Sequence, residues 1–159
     1  MVPDSPLYRK RGLTPWEHCV HGLVVAGFVI SAVTGFSNDV GFGELEGWKL
    51  LIHMAGAGLF TLGLAAVTLL WAARSRFGPL APEPRVPLNV AQKWLFWLAV
   101  LVGWLVMLPM LLAMLPVLGT VAQRQLVDWH KLAAIALVVL LVLHTVVSAA
   151  TWWKRGRAS

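Results

Sequence analysis

The chain has 159 residues, 58% of them hydrophobic, and carries 13 lysines and arginines against 7 acids for a net charge of +6. Length fits one domain, and so apolar a composition leaves almost nothing for a separate soluble one. In a soluble protein the positive balance would point to nucleic acid, but here the charges are sorted by loop, which replaces that reading with one of membrane topology.

Residues 1–13 are polar and basic, with Arg9, Lys10 and Arg11 together. No small-residue cleavage motif follows the first apolar stretch, so it reads as a retained span, not a signal peptide. That first span covers about 19–36 and contains His21, with His18 one turn before it. The segment 37–47 is rich in glycine and acids and reads as an external loop. The second span, about 50–71, begins with His53 four residues after Lys49. Pro79, Pro82, Pro84 and Pro87 then mark an extended connection carrying Arg74, Arg76, Arg85 and Lys93. The third span, about 94–118, contains Pro109 and Pro116; Pro109 should kink it and leave a carbonyl seeking another partner, while Pro116 either lies within the span or marks its outer end. Residues 119–128 read as a short outer loop, and the fourth span, about 132–153, contains His144, with His130 just before it and Lys154, Arg155 and Arg157 after it. Each span is close to the roughly 20 residues that cross a bilayer.

By the positive-inside rule the two termini and the middle loop are cytoplasmic, because the other two loops carry only Lys49, Arg124 and Lys131 beside Asp39, Glu44, Glu46 and Asp128. Tryptophan favours the headgroup level: Trp16, Trp71, Trp94, Trp97, Trp152 and Trp153 fall at inner ends, and Trp48 and Trp129 at outer ends. The expected fold is all-α: a four-transmembrane-helix bundle, multi-pass in a bacterial inner membrane, with lipid around it. One cysteine, Cys19, rules out an internal disulfide, a covalent c-type haem motif and a cysteine-ligated iron–sulfur cluster within this chain.

The histidines carry the chemistry. Buried imidazoles in membrane helices are costly and by default functional. His130 and His144 lie fourteen residues apart, roughly 21 Å along a helix and within about 40° of one face. His21 lies ten residues after Arg11 and His144 ten before Lys154, which matches them in depth near the inner side; His53 and His130 match near the outer side. Facing imidazoles from different helices form the axial pair of a six-coordinate haem iron, and bundles build cofactor sites this way. Zinc or copper would want three or four ligands at one level, including thiolate or carboxylate. Gly56 and Gly58 after His53, Gly22 and Gly27 beside His21, and Ala133, Ala134 and Ala136 after His130 would leave room for a macrocycle, and would equally let bare helices approach. His18 could bond a haem propionate, contact a quinone or face the headgroups, the last being preferred. Lys131 could pair with an outer propionate or snorkel, and Met107, Met110 and Met114 read as packing.

Three segments resemble the dihaem cytochrome b subunits of membrane-bound formate dehydrogenases, the gamma subunits, and their relatives in hydrogenase and thiosulfate reductase complexes. Glu17-His18-Cys19-Val20-His21 resembles that family's acid-Arg-x-x-His, Leu51-Ile52-His53 the ligand-bearing start of its second helix, and Asn89-Val90-Ala91-Gln92-Lys93 its Asn-x-x-Gln-Lys motif; His130 and His144 reproduce its fourth-helix pair. The chain departs at His18, where the family has arginine, and at Gly22, where tryptophan is usual. It is also shorter in its middle loop and at both termini. The resemblance implies two haem b groups, ligated by His53 with His130 and by His21 with His144. It also implies a quinone site by the inner haem, where Asn89 and Gln92 would offer amide donors and Lys93 a proton or a lipid contact. Helix capping by Asn89 is the equal alternative. The function so implied is electron transfer between a periplasmic iron–sulfur or cytochrome subunit and the quinone pool, in either direction. The alternative is a stand-alone cytochrome b561-type quinol or superoxide oxidoreductase, whose third helix commonly bears an additional histidine absent here. A haem-free anchor or small transporter gives no reason for four buried imidazoles.

Overall fold

The structure is a computed structural model that describes residues 14–37, 39–72, 75, 77 and 89–157. Four helices follow one another: α1 (Pro15–Phe36), α2 (Gly47–Trp71), α3 (Val90–Ala113) and α4 (Thr120–Gly156). Each is long and apolar enough to cross a membrane, and no strand occurs among the described residues. The expected all-α, four-helix membrane fold is what the chain adopts. Arg9, Lys10, Arg11, Arg74, Arg76, Arg85 and the four prolines of the middle connection lie outside the described residues.

The helix starts are written into the sequence. Thr14 Oγ1 accepts from Glu17 N at 3.3 Å while Glu17 Oε2 accepts from Thr14 N at 2.7 Å, a capping box with Pro15 next to it. Asn89 and Gln92 repeat the device on α3, with 2.7 and 3.0 Å bonds. Between α1 and α2 the chain turns through Gly41 and Gly43 at φ 83° and 82°, a region that side chains with a Cβ avoid. Lys49 Nζ closes the turn on the carbonyls of Phe42 and Gly43 at 2.6 and 2.8 Å.

Two antiparallel hairpins result, α1 with α2 and α3 with α4, and α2 and α3 touch more lightly. The first hairpin is close because glycines line its seam. A Cβ on Gly27 would lie 2.5 Å from Phe60 N, and one on Gly56 2.7 Å from Ile30 Cγ2. These two glycines therefore serve helix approach and not room for a ligand. Phe60, Leu64, Val100, Val106 and Leu137 form the core where the hairpins meet, with Ala133, Ala134 and Met107 against it. The outer surface is apolar, Leu69 being 81% exposed and Leu62 74%, as expected of side chains facing lipid tails.

One alternative left open by the sequence is decided, and one boundary differs from expectation. Pro109 lies inside α3, which continues to Ala113, whereas Pro116 follows the helix end, in keeping with the preference for proline just past a C-cap. The segment 119–128, expected as a loop, is helical from Thr120: it has neither proline nor glycine after Gly119, and its Ala, Gln, Arg and Leu residues favour helix. We call the end where α1 starts and α4 finishes the near end, and the other the far end.

Two levels of imidazole in the bundle

At the far end His53, in the second turn of α2, meets His130 of α4. Their ring centroids are 6.4 Å apart and their planes lie at 81°. Each ring is fixed from behind by the neighbouring helix of its own hairpin. His53 Nδ1 lies 3.0 Å from Ser31 O and 3.1 Å from Thr34 Oγ1, both on α1. His130 Nδ1 lies 2.8 Å from Val106 O on α3. A carbonyl only accepts, so both Nδ1 atoms carry a proton, and in the neutral ring Nε2 is then the nitrogen with the lone pair. That is the second-sphere arrangement found behind metal-ligating histidines. Val106 O lies next to the Leu105 carbonyl that Pro109, lacking an N–H, leaves without its amide partner; the wall of α3 is open to hydrogen bonding at this depth.

All four helices thus contribute to one level. Gly35 belongs to it as well, since a Cβ there would sit 3.0 Å from His53 Cε1 and 3.3 Å from its Nδ1. Sequence reasoning passed over Ser31, Thr34, Gly35 and Val106. Two of them act through a backbone carbonyl and one through the lack of a side chain.

At the near end His21 of α1 lies against Trp71, the last residue of α2, with ring centroids 5.7 Å apart. His144 of α4 has its Nδ1 buried without a hydrogen-bond partner. His53 and His130 are thus face to edge at the far end, while the ring that His21 meets at the near end is that of Trp71. Gly22 and Gly58 have open space where a Cβ would go. Along the far half of α1 and the adjoining part of α4 runs an apolar groove of about 420 Å³, lined by Phe28, Ala32, Val33, Phe36, Ile135 and Val139 among others.

The remaining candidates are placed as follows. His18 is exposed and its Nδ1 donates to Thr14 O at 3.0 Å. Gln92 is buried, its Oε1 bound to Asn89 N and its Nε2 donating to Thr151 Oγ1 of α4 at 3.1 Å. The amide pair thus caps α3 and ties it to α4. Lys93 Nζ lies 5.8 Å from the Phe77 ring centroid. Lys131 and Met114 are exposed.

The donor set fits haem. A metal–imidazole nitrogen bond is about 2.0–2.1 Å, so two rings trans across one iron hold their centroids roughly 6 Å apart once about 1 Å of ring is added on each side. The 6.4 Å at the far level agrees. Among the described residues no group of three or more His, Cys, Asp or Glu side chains gathers, and the far level offers an imidazole pair. No family model, curated protein or solved structure matches the chain, and the resemblance to dihaem cytochrome b subunits rests on the motifs quoted above.

Proposed function

We propose that the chain is a membrane electron-transfer subunit that holds two b-type haems, one between His53 and His130 and one between His21 and His144. It would link a periplasmic iron–sulfur or cytochrome partner to quinone in a bacterial inner membrane. The observation that carries this reading is the far-level pair, two imidazoles at ligation spacing with both Nδ1 atoms committed to backbone carbonyls. Haem bound at each level would supply reversible one-electron chemistry at iron.

The chain's own residues do the rest. Ser31 O and Val106 O accept from Nδ1 of each ring and would leave Nε2 as the ligating nitrogen. Haem held by two imidazoles at a level would have no open position for a gas and would be suited to electron transfer. His130 and His144 on one rod place the levels roughly 21 Å apart along its axis, most of a hydrocarbon layer about 30 Å thick. The basic near end is the cytoplasmic one in this reading, with quinone beside it. Since Gln92 is bound at both amide atoms, a quinone contact from this segment falls to Asn89, at an exposed position.

The test is a dithionite-reduced minus oxidised spectrum with haem quantification on the purified full chain. Two b haems per chain are expected, falling to one in His130→Ala and in His144→Ala. Colourless wild-type protein would overturn the reading.

A further inference from the structure

The two levels differ in one respect that ligation alone leaves unexplained. At the far level each ring Nδ1 has its carbonyl. At the near end Trp71 Nε1 and Ser75 Oγ are buried without a hydrogen-bond partner, as is His144 Nδ1. Ser75 is 0% exposed. Buried polar atoms are nearly always paired, and such a cluster marks the seat of a polar group.

Trp71 and Ser75 are one helical turn apart, with Ser75 N donating to Trp71 O at 3.0 Å, so their side chains share a face. Trp97 Nε1 of α3 donates to Ser75 O at 3.0 Å and holds that turn against the bundle. An indole N–H can only donate, and a serine hydroxyl can donate beside it. The missing partner is therefore an oxygen acceptor able to take two donors. The Trp71 ring also lies 5.7 Å from the ring of His21, which puts Trp71 beside an imidazole proposed above to hold haem, at the end of α2.

Resting on the haem reading above, we propose that Trp71 Nε1–H and Ser75 Oγ–H hold a propionate carboxylate of the haem at the His21–His144 level. The carboxylate offers two oxygens, one for each donor, and belongs to the same group that the neighbouring imidazole ligates. A quinone carbonyl would offer similar acceptor chemistry without being anchored there.

The experiment uses the full-length protein in quinone-free detergent, comparing wild type with Trp71→Phe, Ser75→Ala and the double variant. Release of haem to apomyoglobin, the propionate bending band in resonance Raman and the midpoint potential of each haem are measured. In the double variant one haem is expected to leave roughly tenfold faster, its propionate band to shift and its potential to fall, because a less shielded carboxylate favours ferric iron; the other haem is unchanged. Wild type loaded with haem dimethyl ester should release that haem equally fast, with no further change in the double variant. Two haems per chain with all three readouts unaltered would overturn the proposal and leave the haem reading standing, as would changes seen only when a short-chain ubiquinone is added. Wild type that binds no haem would overturn both.

Discussion

The orientation of a ring decides whether an imidazole can ligate, and here a missing methyl group bears on it. Gly35→Ala would set a Cβ 3.0 Å from His53 Cε1 and press on the ring that donates to Ser31. Helix propensity gains at most about 1 kcal/mol from the change, while a weakened hydrogen bond costs a similar amount. The melting temperature of the haem-free protein should hardly move, whereas haem content should fall towards one per chain; unchanged content would show that the ring has slack. The histidines themselves were legible because a basic heterocycle in an apolar run stands out against its surroundings. Their orienting partners were not, since Ser31 and Val106 act through carbonyls that every residue has, across sequence separations of 22 and 24.

Capping and helix length belong to the next scale up. Asn89→Ala should cost about 1 kcal/mol by removing the cap of α3, measured as a lower melting temperature. Asn89→Asp keeps an acceptor at the N-cap and a favourable charge at the helix start but lacks amide donors. If Asn89 contacts quinone, that variant should raise the KM for a soluble quinol at an unchanged melting temperature; an unchanged KM would leave Asn89 a cap only. The Asn89 cap and the four apolar spans were readable because they are local, whereas the Thr14–Glu17 box, equally local, was overshadowed by the histidine beside it. The extent of α4 was not: its first turns are polar, and a polar segment outside the apolar run reads as a loop unless its helix propensity is weighed. Gly27 and Gly56 were ambiguous for a related reason, because a small residue signals closeness without saying what comes close.

At the scale of the whole molecule, charge sorting predicts that both chain ends face the cytoplasm. A fluorescent protein fused after Ser159 should fold and glow, and alkaline phosphatase at the same point should stay inactive; the opposite pattern would invert the proposed route of electrons. The bundle's division into two hairpins was not legible, because all four spans are similarly apolar and no composition distinguishes a tight seam from a loose one. It follows from where the glycines and bulky residues meet in three dimensions, as with Gly63 of α2, whose Cβ would lie 2.5 Å from Val24 Cγ2 of α1.

That division has a consequence for assembly. His21 and His53 belong to one close-packed jaw and His130 and His144 to a single rod in the other, so if each level holds a haem as proposed, clamping at one would bring the opposing jaws into register for both. Ordering once then lowers the entropic cost of the next event, which is positive cooperativity without any contact between the two pigments. A haemin titration of the empty bundle should accordingly rise more steeply than a hyperbola, with the singly loaded form scarce at the midpoint.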